Sequence, residues 1–217
     1  MEDIKIDSEF CYRAKKIIQR FPNRALDLLH CFSPSQEKSK RWLIECLNEF
    51  TKNNHKVLDI AILGSWYGYL AYLIKDMLEN KMITEIRCYD IDDTAKKIGR
   101  LLFNDTVFHF QTKDISTINF QDYRYNMIIN TSSEHMSDDT LHKWLFTTRK
   151  DTICVLQSTD KTARDHINLV KSEKELDEKF SDYFTECKTY TLNFGQYSRY
   201  MIIGKTKWKI IGIKLKR

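Results

Sequence analysis

The sequence lacks a Cys-x-x-Cys pair, although it contains six cysteines. Several of the six fall inside segments that we predict as strands or helices, so buried free thiols are favoured over disulfides or a cysteine-ligated zinc. Unpaired thiols indicate a reducing compartment. No grouping of histidine, aspartate and glutamate has a spacing typical of metal ligands, and we expect no metal.

Long apolar runs, internal repeats and low-complexity segments are also missing from these 217 residues, which include only two prolines and six glycines. No apolar run approaches the length that crosses a bilayer, and the charged start of the chain, residues 1–5, differs from a signal peptide. The chain is long enough for one well-buried domain. We therefore expect a soluble, cytoplasmic protein without a membrane partner.

A strand, a glycine turn and a helix are predicted in succession near residue 60. Apolar residues run almost without interruption over 57–63, which predicts a strand buried on both faces. Gly64 permits a tight turn, and Gly68 precedes apolar residues at helical spacing. A second predicted strand, 85–89, is followed by Asp90, where nucleotide-binding α/β folds place an acid for ribose hydroxyls. The pattern predicts a doubly wound α/β sheet with a cofactor between these two elements.

The turn lacks the middle glycine of a dinucleotide fingerprint. That glycine lets the backbone approach a pyrophosphate, and Trp66 stands in its place. The loop Gly64-Ser65-Trp66-Tyr67-Gly68, Asp90 and the order of predicted elements over 57–205 together resemble the class I S-adenosylmethionine-dependent methyltransferases, which have a Rossmann-like fold. The resemblance implies S-adenosylmethionine as cofactor, and it implies these cofactor-binding residues: Gly64, Ser65, Trp66, Gly68, Asp90, Ile91, Asp114, Ile115 and Asn130.

The rest of the pattern completes such a fold. Helical periodicity predicts three helices before the sheet, at 8–20, 24–30 and 35–50, the last capped by Ser35. Two extended runs within 184–205 predict an antiparallel hairpin, which is characteristic of the methyltransferase fold rather than of dehydrogenases. We predict a seven-stranded, mostly parallel sheet and three parts of the chain: a helical extension or lid (1–55), a Rossmann-like methyltransferase domain (56–206) and a basic tail or edge strand (207–217).

The sequence predicts a fourth strand over 125–129 and a fifth over 152–157. Polar residues follow the fourth strand, in the region where ligands bind in doubly wound sheets. Glu134 and His135 stand side by side there, and a base at this position removes a proton from an oxygen or nitrogen nucleophile. His166, beyond the fifth strand, is the third catalytic candidate. In the alternative, His135 begins or caps the next helix and Glu134 pairs with a lysine. The cluster that starts at Asn130 lacks the Pro-Pro-Tyr of amino-methylating nucleic-acid enzymes, which disfavours that reaction.

One position departs from the family pattern. The family usually carries an acid two residues before the first glycine to hold the donor's ammonium, and this chain has Ile62 there. Either another group, from the N-terminal helices, binds the amino-acid end of the donor, or the donor takes another pose. Gln36 and Lys40 are candidates for the donor's carboxylate, and the alternative is that they belong to a solvated helix face. Asp114 also has an alternative interpretation, as the cap of a turn.

We expect a methyltransferase that acts on a small molecule or a simple oxygen or nitrogen nucleophile. Aminocarboxypropyl transfer, cyclisation of the donor, methylation of RNA or DNA, and a non-catalytic binding protein are the alternatives. The net charge is +5, and six cations alternate with apolar residues over 205–217. Because the same alternation is typical of an edge strand, a small-molecule substrate is favoured over nucleic acid.

Overall fold

The structure is a computed structural model that describes residues 8–52, 57–79 and 82–207. Within these residues, one sheet has the strand order β3-β2-β1-β4-β5-β7-β6. Its strands are β1 (Val57–Leu63), β2 (Met82–Asp90), β3 (Phe108–Thr112), β4 (Met127–Asn130), β5 (Ile153–Thr159), β6 (Phe184–Asn193) and β7 (Ser198–Thr206). Strands β1 to β5 pair in parallel, and β7 runs antiparallel to both of its neighbours. The predicted α/β sheet with a C-terminal antiparallel hairpin is confirmed.

In the described part of the chain, three helices precede the sheet and four connect its strands. They are α1 (Ser8–Arg20), α2 (Ala25–Cys31), α3 (Pro34–Thr51), α4 (Tyr69–Met77), α5 (Asp93–Leu102), α6 (Asp138–Thr147) and α7 (Glu173–Phe180). The predicted cap of α3 was wrong: the helix follows Ser33 and begins at Pro34, so Ser35 lies inside it. Proline suits a first helical position because its fixed φ is helical and its missing N–H has no partner to lose. No helix of the described residues is long and apolar enough to cross a bilayer.

Neighbouring side chains of β1 enter different core clusters. Ile60 and Ile62 pack on the face that α3, α4 and α5 cover, whereas Ala61 and Leu63 pack on the face that α6 and α7 cover. Successive residues of a strand point to opposite faces, so a strand covered on both sides has to be apolar throughout. This requirement explains the uninterrupted apolar run.

The N-terminal helices share this core. Leu43, Ile44 and Leu47 of α3 are fully buried in the same cluster as Ile60. The core therefore holds α3 against the sheet. The strand order reverses between β1 and β4. Such a switch point leaves a crevice at the carboxyl ends of the strands, where ligands bind in this type of sheet.

Candidate active site

A cavity of about 540 Å³ opens at the carboxyl ends of β1, β4 and β5. Its size lies within the range of small-molecule sites. The sheet side is formed by Ile62, Gly64, Ser65, Trp66, Tyr69, Leu70, Thr131, Ser132, Glu134, His135, Lys161, Ala163, Asp165, His166 and Arg199. The opposite wall comes from α2, α3 and the residues just before them: Arg24, Asp27, His30, Cys31, Gln36 and Lys40. The N-terminal helices therefore cover the switch point of the sheet.

The glycine loop has a left-handed backbone at three positions: Gly64 (φ 62°), Trp66 (φ 52°) and Gly68 (φ 86°). A Cβ added at Gly64 would lie 2.9 Å from the Cβ of Ser132, so this position requires glycine for both its φ and its close contact. Trp66 adopts a conformation that is uncommon for a side chain of its size. Other contacts of the loop must therefore hold Trp66 in place.

Asp90 provides one of these contacts. Its carboxylate accepts hydrogen bonds from the backbone nitrogens of Trp66 (2.7 Å) and Asp92 (3.0 Å). Burial raises the pKa of this carboxyl, against the effect of these backbone hydrogen bonds. Asp90 does not line the cavity, whereas Trp66 does. A carboxylate offers about four lone-pair positions, so Asp90 retains capacity for two hydroxyl donors.

The other predicted cofactor residues divide into two groups. Gly64, Ser65 and Trp66 line the cavity, whereas Gly68, Ile91, Asp114, Ile115 and Asn130 do not. The Asp114 carboxylate accepts a hydrogen bond from the backbone nitrogen of Ser116 (2.9 Å) and caps a short 3-10 turn, as in the alternative interpretation. Ile91 is 73% exposed, and Asn130 is fully buried with its Oδ1 bonded to the backbone nitrogen of Ser132 (3.0 Å).

Asp27 of α2 anchors the opposite wall to the glycine loop. Its Oδ2 accepts hydrogen bonds from Trp66 Nε1 (3.2 Å), Tyr67 Oη (2.5 Å) and Arg24 Nη1 (3.2 Å). Arg24 also forms an ion pair with Asp92 at the start of α5. Burial, together with the bond to Asp27, raises the pKa of the Tyr67 hydroxyl. Asp27 and Arg24 were not predicted as site residues. The available signal was an acid and a cation three residues apart, in the N-terminal helical region that was expected to bind the amino-acid end of the donor.

Lys40 and Gln36 lie together on α3. Lys40 Nζ donates a hydrogen bond to Gln36 Oε1 (2.6 Å) and lies 5.9 Å from the centre of the Tyr69 ring. Burial lowers the pKa of Lys40 to about 8, and the nearby Arg199 acts in the same direction. Burial also raises the pKa of the neighbouring Cys31 to about 12, so this cavity residue is a neutral thiol rather than a thiolate nucleophile.

The three predicted catalytic residues meet at the other end of the cavity. Glu134 is 3% exposed, its Oε1 lies 3.7 Å from Arg199 Nη1, and its Oε2 has no hydrogen-bond partner in the described structure. His135 Nδ1 lies 3.1 Å from the carbonyl oxygen of Asp165, and His166 Nδ1 lies 2.5 Å from that of Lys161. The two imidazole rings are 4.8 Å apart, centre to centre.

Two details of the alternative interpretation were wrong. The partner of Glu134 is Arg199 rather than a lysine, and His135 ends a 3-10 turn instead of beginning α6, which starts at Asp138. The expectation about metal ligands rested on spacing along the chain. In three dimensions, one potential ligand atom from each of Glu134, His135 and His166 lies within 4.8 Å of the others.

Solved structures with the same fold include several methyltransferases. The carbon methyltransferase CurJ matches with a TM-score of 0.65 and 13% identity, over 90% of this chain and 71% of CurJ. The magnesium protoporphyrin IX methyltransferase ChlM of Synechocystis PCC 6803, with bound S-adenosylhomocysteine, matches with a TM-score of 0.60 and 12% identity, over 89% of this chain and all of ChlM.

The N-methyltransferase NodS of Bradyrhizobium japonicum WM9, also with S-adenosylhomocysteine, matches with a TM-score of 0.60 and 10% identity, over 93% of this chain and all of NodS. No protein-family model matches the chain, and no curated protein matches its sequence. At these identities the structural matches show the fold. The predicted resemblance to the class I, Rossmann-like methyltransferase fold is thereby confirmed.

Proposed function

We propose that this protein is an S-adenosylmethionine-dependent methyltransferase that acts on a small molecule with an oxygen or nitrogen nucleophile. The observation that carries the proposal is the cavity at the switch point of a methyltransferase fold, with the glycine loop along one side and Glu134, His135 and His166 at one end. When bound, S-adenosylmethionine supplies an electrophilic methyl group on a sulfonium centre.

The residues of the cavity fit the amino-acid end of this donor. Gln36 and the ammonium of Lys40 suit its carboxylate. Asp27 suits its ammonium, because the three hydrogen bonds that this carboxylate accepts from described residues all fall on Oδ2, so Oδ1 keeps the capacity to accept a further donor. Asp27 would thus replace the acid that the family usually places where this chain has Ile62.

The ribose end of the donor would reach Asp90 past Trp66. Trp66 lines the cavity, and its backbone nitrogen donates a hydrogen bond to Asp90. Asp90 has the capacity to accept both ribose hydroxyls. We retain Ile91, Asp114, Ile115, Gly68 and Asn130 as proposed parts of the donor site, in contact with it or supporting the loops that form it.

The acceptor would lie beside Glu134 and the two histidines. A neutral imidazole whose Nδ1 donates to a carbonyl oxygen has an unprotonated Nε2. Both His135 and His166 have this arrangement, so either Nε2 is able to take the proton that the acceptor loses. Arg199, near Glu134, offers a cation to an acidic acceptor.

A small acceptor is favoured over a long nucleic acid. The proposed reaction centre lies beneath α2 and α3, in a cavity of small-molecule size. The basic segment that could bind phosphates extends from Lys205, and its residues 208–217 lie outside the described part of the chain. Neutralising only a few phosphates gives weak and salt-dependent binding.

Product analysis tests the reaction. The protein is incubated with S-adenosylmethionine carrying a labelled methyl group and with pools of small alcohols, acids and amines, and the products are separated by mass. We expect S-adenosylhomocysteine and a labelled acceptor, both lost in the double variant His135→Ala/His166→Ala. Methylthioadenosine instead would show aminocarboxypropyl transfer or cyclisation, and would contradict methyl transfer.

A second candidate is a non-catalytic binding protein on the same fold. It is favoured by Trp66, which lines the cavity and whose indole stacks on Tyr67 (5.4 Å between ring centres) and donates a hydrogen bond to Asp27. If this ring blocks the donor, Trp66→Ala should create donor binding that the wild type lacks. If the ring is a wall of the donor site, the same substitution should weaken binding.

A further inference from the structure

We propose that Glu134, His135 and His166 form a binding site for one first-row divalent transition-metal ion. One carboxylate oxygen and two imidazole nitrogens, all within 4.8 Å of one another, are a ligand set that such ions prefer. All three residues line the cavity, so the remaining coordination positions of the ion would face it. The site needs no methyl donor to form. An ion bound there would occupy the imidazole nitrogens that we propose as bases, so metal binding and proton removal by these two histidines are alternative states of the same residues.

Glu134 presents a carboxylate oxygen that requires a partner. Its side chain is 4% exposed, and Oε2 has no hydrogen bond in the described structure. A buried carboxylate oxygen without a partner is costly, because it has lost its water and gained nothing in return. Arg199 lies 3.7 Å from the other oxygen, Oε1, and also donates to Gln157 Oε1 (3.2 Å). A cation bound at Oε2 would give this oxygen the partner that it lacks in the described structure.

The two histidines are oriented as metal ligands usually are. A ligating imidazole commonly donates its second N–H to a carbonyl or carboxylate, which fixes the tautomer and the ring orientation. His135 Nδ1 lies 3.1 Å from the carbonyl oxygen of Asp165 and 3.3 Å from its carboxylate. His166 Nδ1 lies 2.5 Å from the carbonyl oxygen of Lys161. In the neutral form of each ring, Nε2 is then the nitrogen that is left to bind a metal ion.

The three ligands must approach one another to hold one ion. Two ligand atoms that each lie about 2.1 Å from a tetrahedral metal ion are about 3.4 Å apart, so ligand atoms that now lie up to 4.8 Å apart must move together by about 1.4 Å. The side chain of His135 is 39% exposed and has room to move. Arg199 and Lys161 in the same wall oppose a cation, whereas the carboxylates of Glu134 and Asp165 favour it.

The ligand types also decide which ions are preferred. Imidazole nitrogens suit zinc, iron, cobalt and nickel, whereas magnesium and calcium prefer sites made of oxygen ligands. We therefore expect Zn²⁺ and Co²⁺ to bind much more tightly than Mg²⁺. Two histidines and one glutamate are a known zinc ligand set that keeps a fourth position open.

Calorimetry with ZnCl₂ and MgCl₂, without a methyl donor, tests the site. The full chain is used without a histidine tag and in a Cys11→Ser background, because the exposed Cys11 thiol is a competing zinc ligand. We expect one Zn²⁺ per chain, and Mg²⁺ binding at least a hundredfold weaker. Absorption of the Co²⁺ form reports the ligand geometry directly.

Single variants identify the ligands. His135→Ala and His166→Ala should each weaken Zn²⁺ binding at least about tenfold, since even supporting residues of metal sites typically contribute that much. Glu134→Gln should weaken it as well, and circular dichroism checks that each variant is folded. The matched control is His109→Ala, because His109 is an exposed histidine on β3 outside the cavity. Zinc affinity that is equal in the wild type and in His135→Ala/His166→Ala, or no Zn²⁺ binding at millimolar concentration, would overturn the proposal and leave the methyl-transfer proposal untouched.

Discussion

The carboxylate of Asp90 is joined to the backbone nitrogen of Trp66 by a hydrogen bond of 2.7 Å. This bond ties the end of β2 to the glycine loop after β1, and it does so at a residue whose φ of 52° is left-handed. Asp90 therefore has a structural role in addition to the ribose contact that we propose for it. Its substitution should change both the stability of the fold and the affinity for the donor.

Replacing Asp90 with alanine tests the two roles by separate measurements, the free energy of unfolding for the structural role and the donor affinity for the binding role. Two part-buried backbone N–H groups lose their acceptor, which should lower the free energy of unfolding by about 1–3 kcal/mol. Affinity for S-adenosylmethionine should fall at least about tenfold, because charge-assisted hydrogen bonds are lost. Urea unfolding and calorimetry measure the two effects. Asp122→Ala, at an exposed acid, is the control, and unchanged donor affinity in a folded Asp90→Ala protein would place the donor elsewhere.

The bond between Asp27 and Tyr67 should couple the N-terminal helices to the glycine loop. Tyr67 is fully buried, and its hydroxyl donates to Asp27 Oδ2 (2.5 Å). Asp27→Ala leaves this hydroxyl without its acceptor and should cost about 1–3 kcal/mol, whereas Tyr67→Phe removes the hydroxyl itself. The double variant should be less destabilised than the sum of the two single variants. Additive losses of unfolding free energy would show that the two groups do not interact.

Lys40 should make stability depend on pH in the alkaline range. Its pKa falls from 10.5 to about 8 in the folded protein, so the unfolded chain binds the extra proton between these values. Stability from this group is then constant below about pH 8 and rises with pH up to about 10.5, by at most about 1.4 kcal/mol per pH unit. The groups that set this pKa besides burial are Cys31, Arg199 and Glu134.

The measurement for Lys40 is a difference between two proteins. Urea unfolding of the wild type and of Lys40→Met at pH 7.5 and pH 10 cancels the titration of groups that do not interact with Lys40. We expect the wild type to gain stability relative to the variant at the higher pH. No change would mean that the ammonium of Lys40 is as well stabilised in the cavity as in the unfolded chain. A relative loss would mean that the folded protein holds this proton more tightly than the unfolded chain, and either result would contradict a lowered pKa.

The basic C-terminal segment should contribute little to nucleic-acid binding. A truncated chain for this test should keep Thr206, which is buried and accepts a hydrogen bond from the backbone nitrogen of Thr152 (3.0 Å). We expect the full chain and a chain ending at Lys207 to bind RNA and DNA equally weakly at physiological salt in a gel-shift titration. Tight binding that the truncation abolishes would instead favour an RNA or DNA methyltransferase.

Much of the fold was predictable because its signals are local. The run 57–63 is apolar on both faces because β1 lies between two layers of helices, and the turn near Gly195 separates two extended runs of the hairpin. Strand ends were less predictable: β2 begins at Met82, three residues before the predicted start at 85. The first residues of β2 are partly exposed and belong to the strand through backbone hydrogen bonds. Because such residues need not be apolar, the sequence pattern does not indicate where the strand begins.

The candidate site was predictable only in part, because its geometry depends on contacts between distant segments. Glu134 and His135 could be found from their place after β4, but their approach to His166 and Arg199 depends on loops whose paths the sequence pattern does not define. Asp114 differs, because its hydrogen bond to the backbone nitrogen of Ser116 is local. The sequence could therefore predict this capping role, which was one of the two roles considered for Asp114.

A calorimetric titration of S-adenosylmethionine into the wild-type protein tests most directly the central claim, which is that this protein binds the methyl donor. We predict saturable binding of one donor per chain, displaced by S-adenosylhomocysteine and weakened in Asp90→Ala and in Lys40→Met, with no metal ion required to observe it. A folded wild-type protein that shows neither heat nor a thermal shift at millimolar donor would contradict the account, because the cavity would then serve some other ligand.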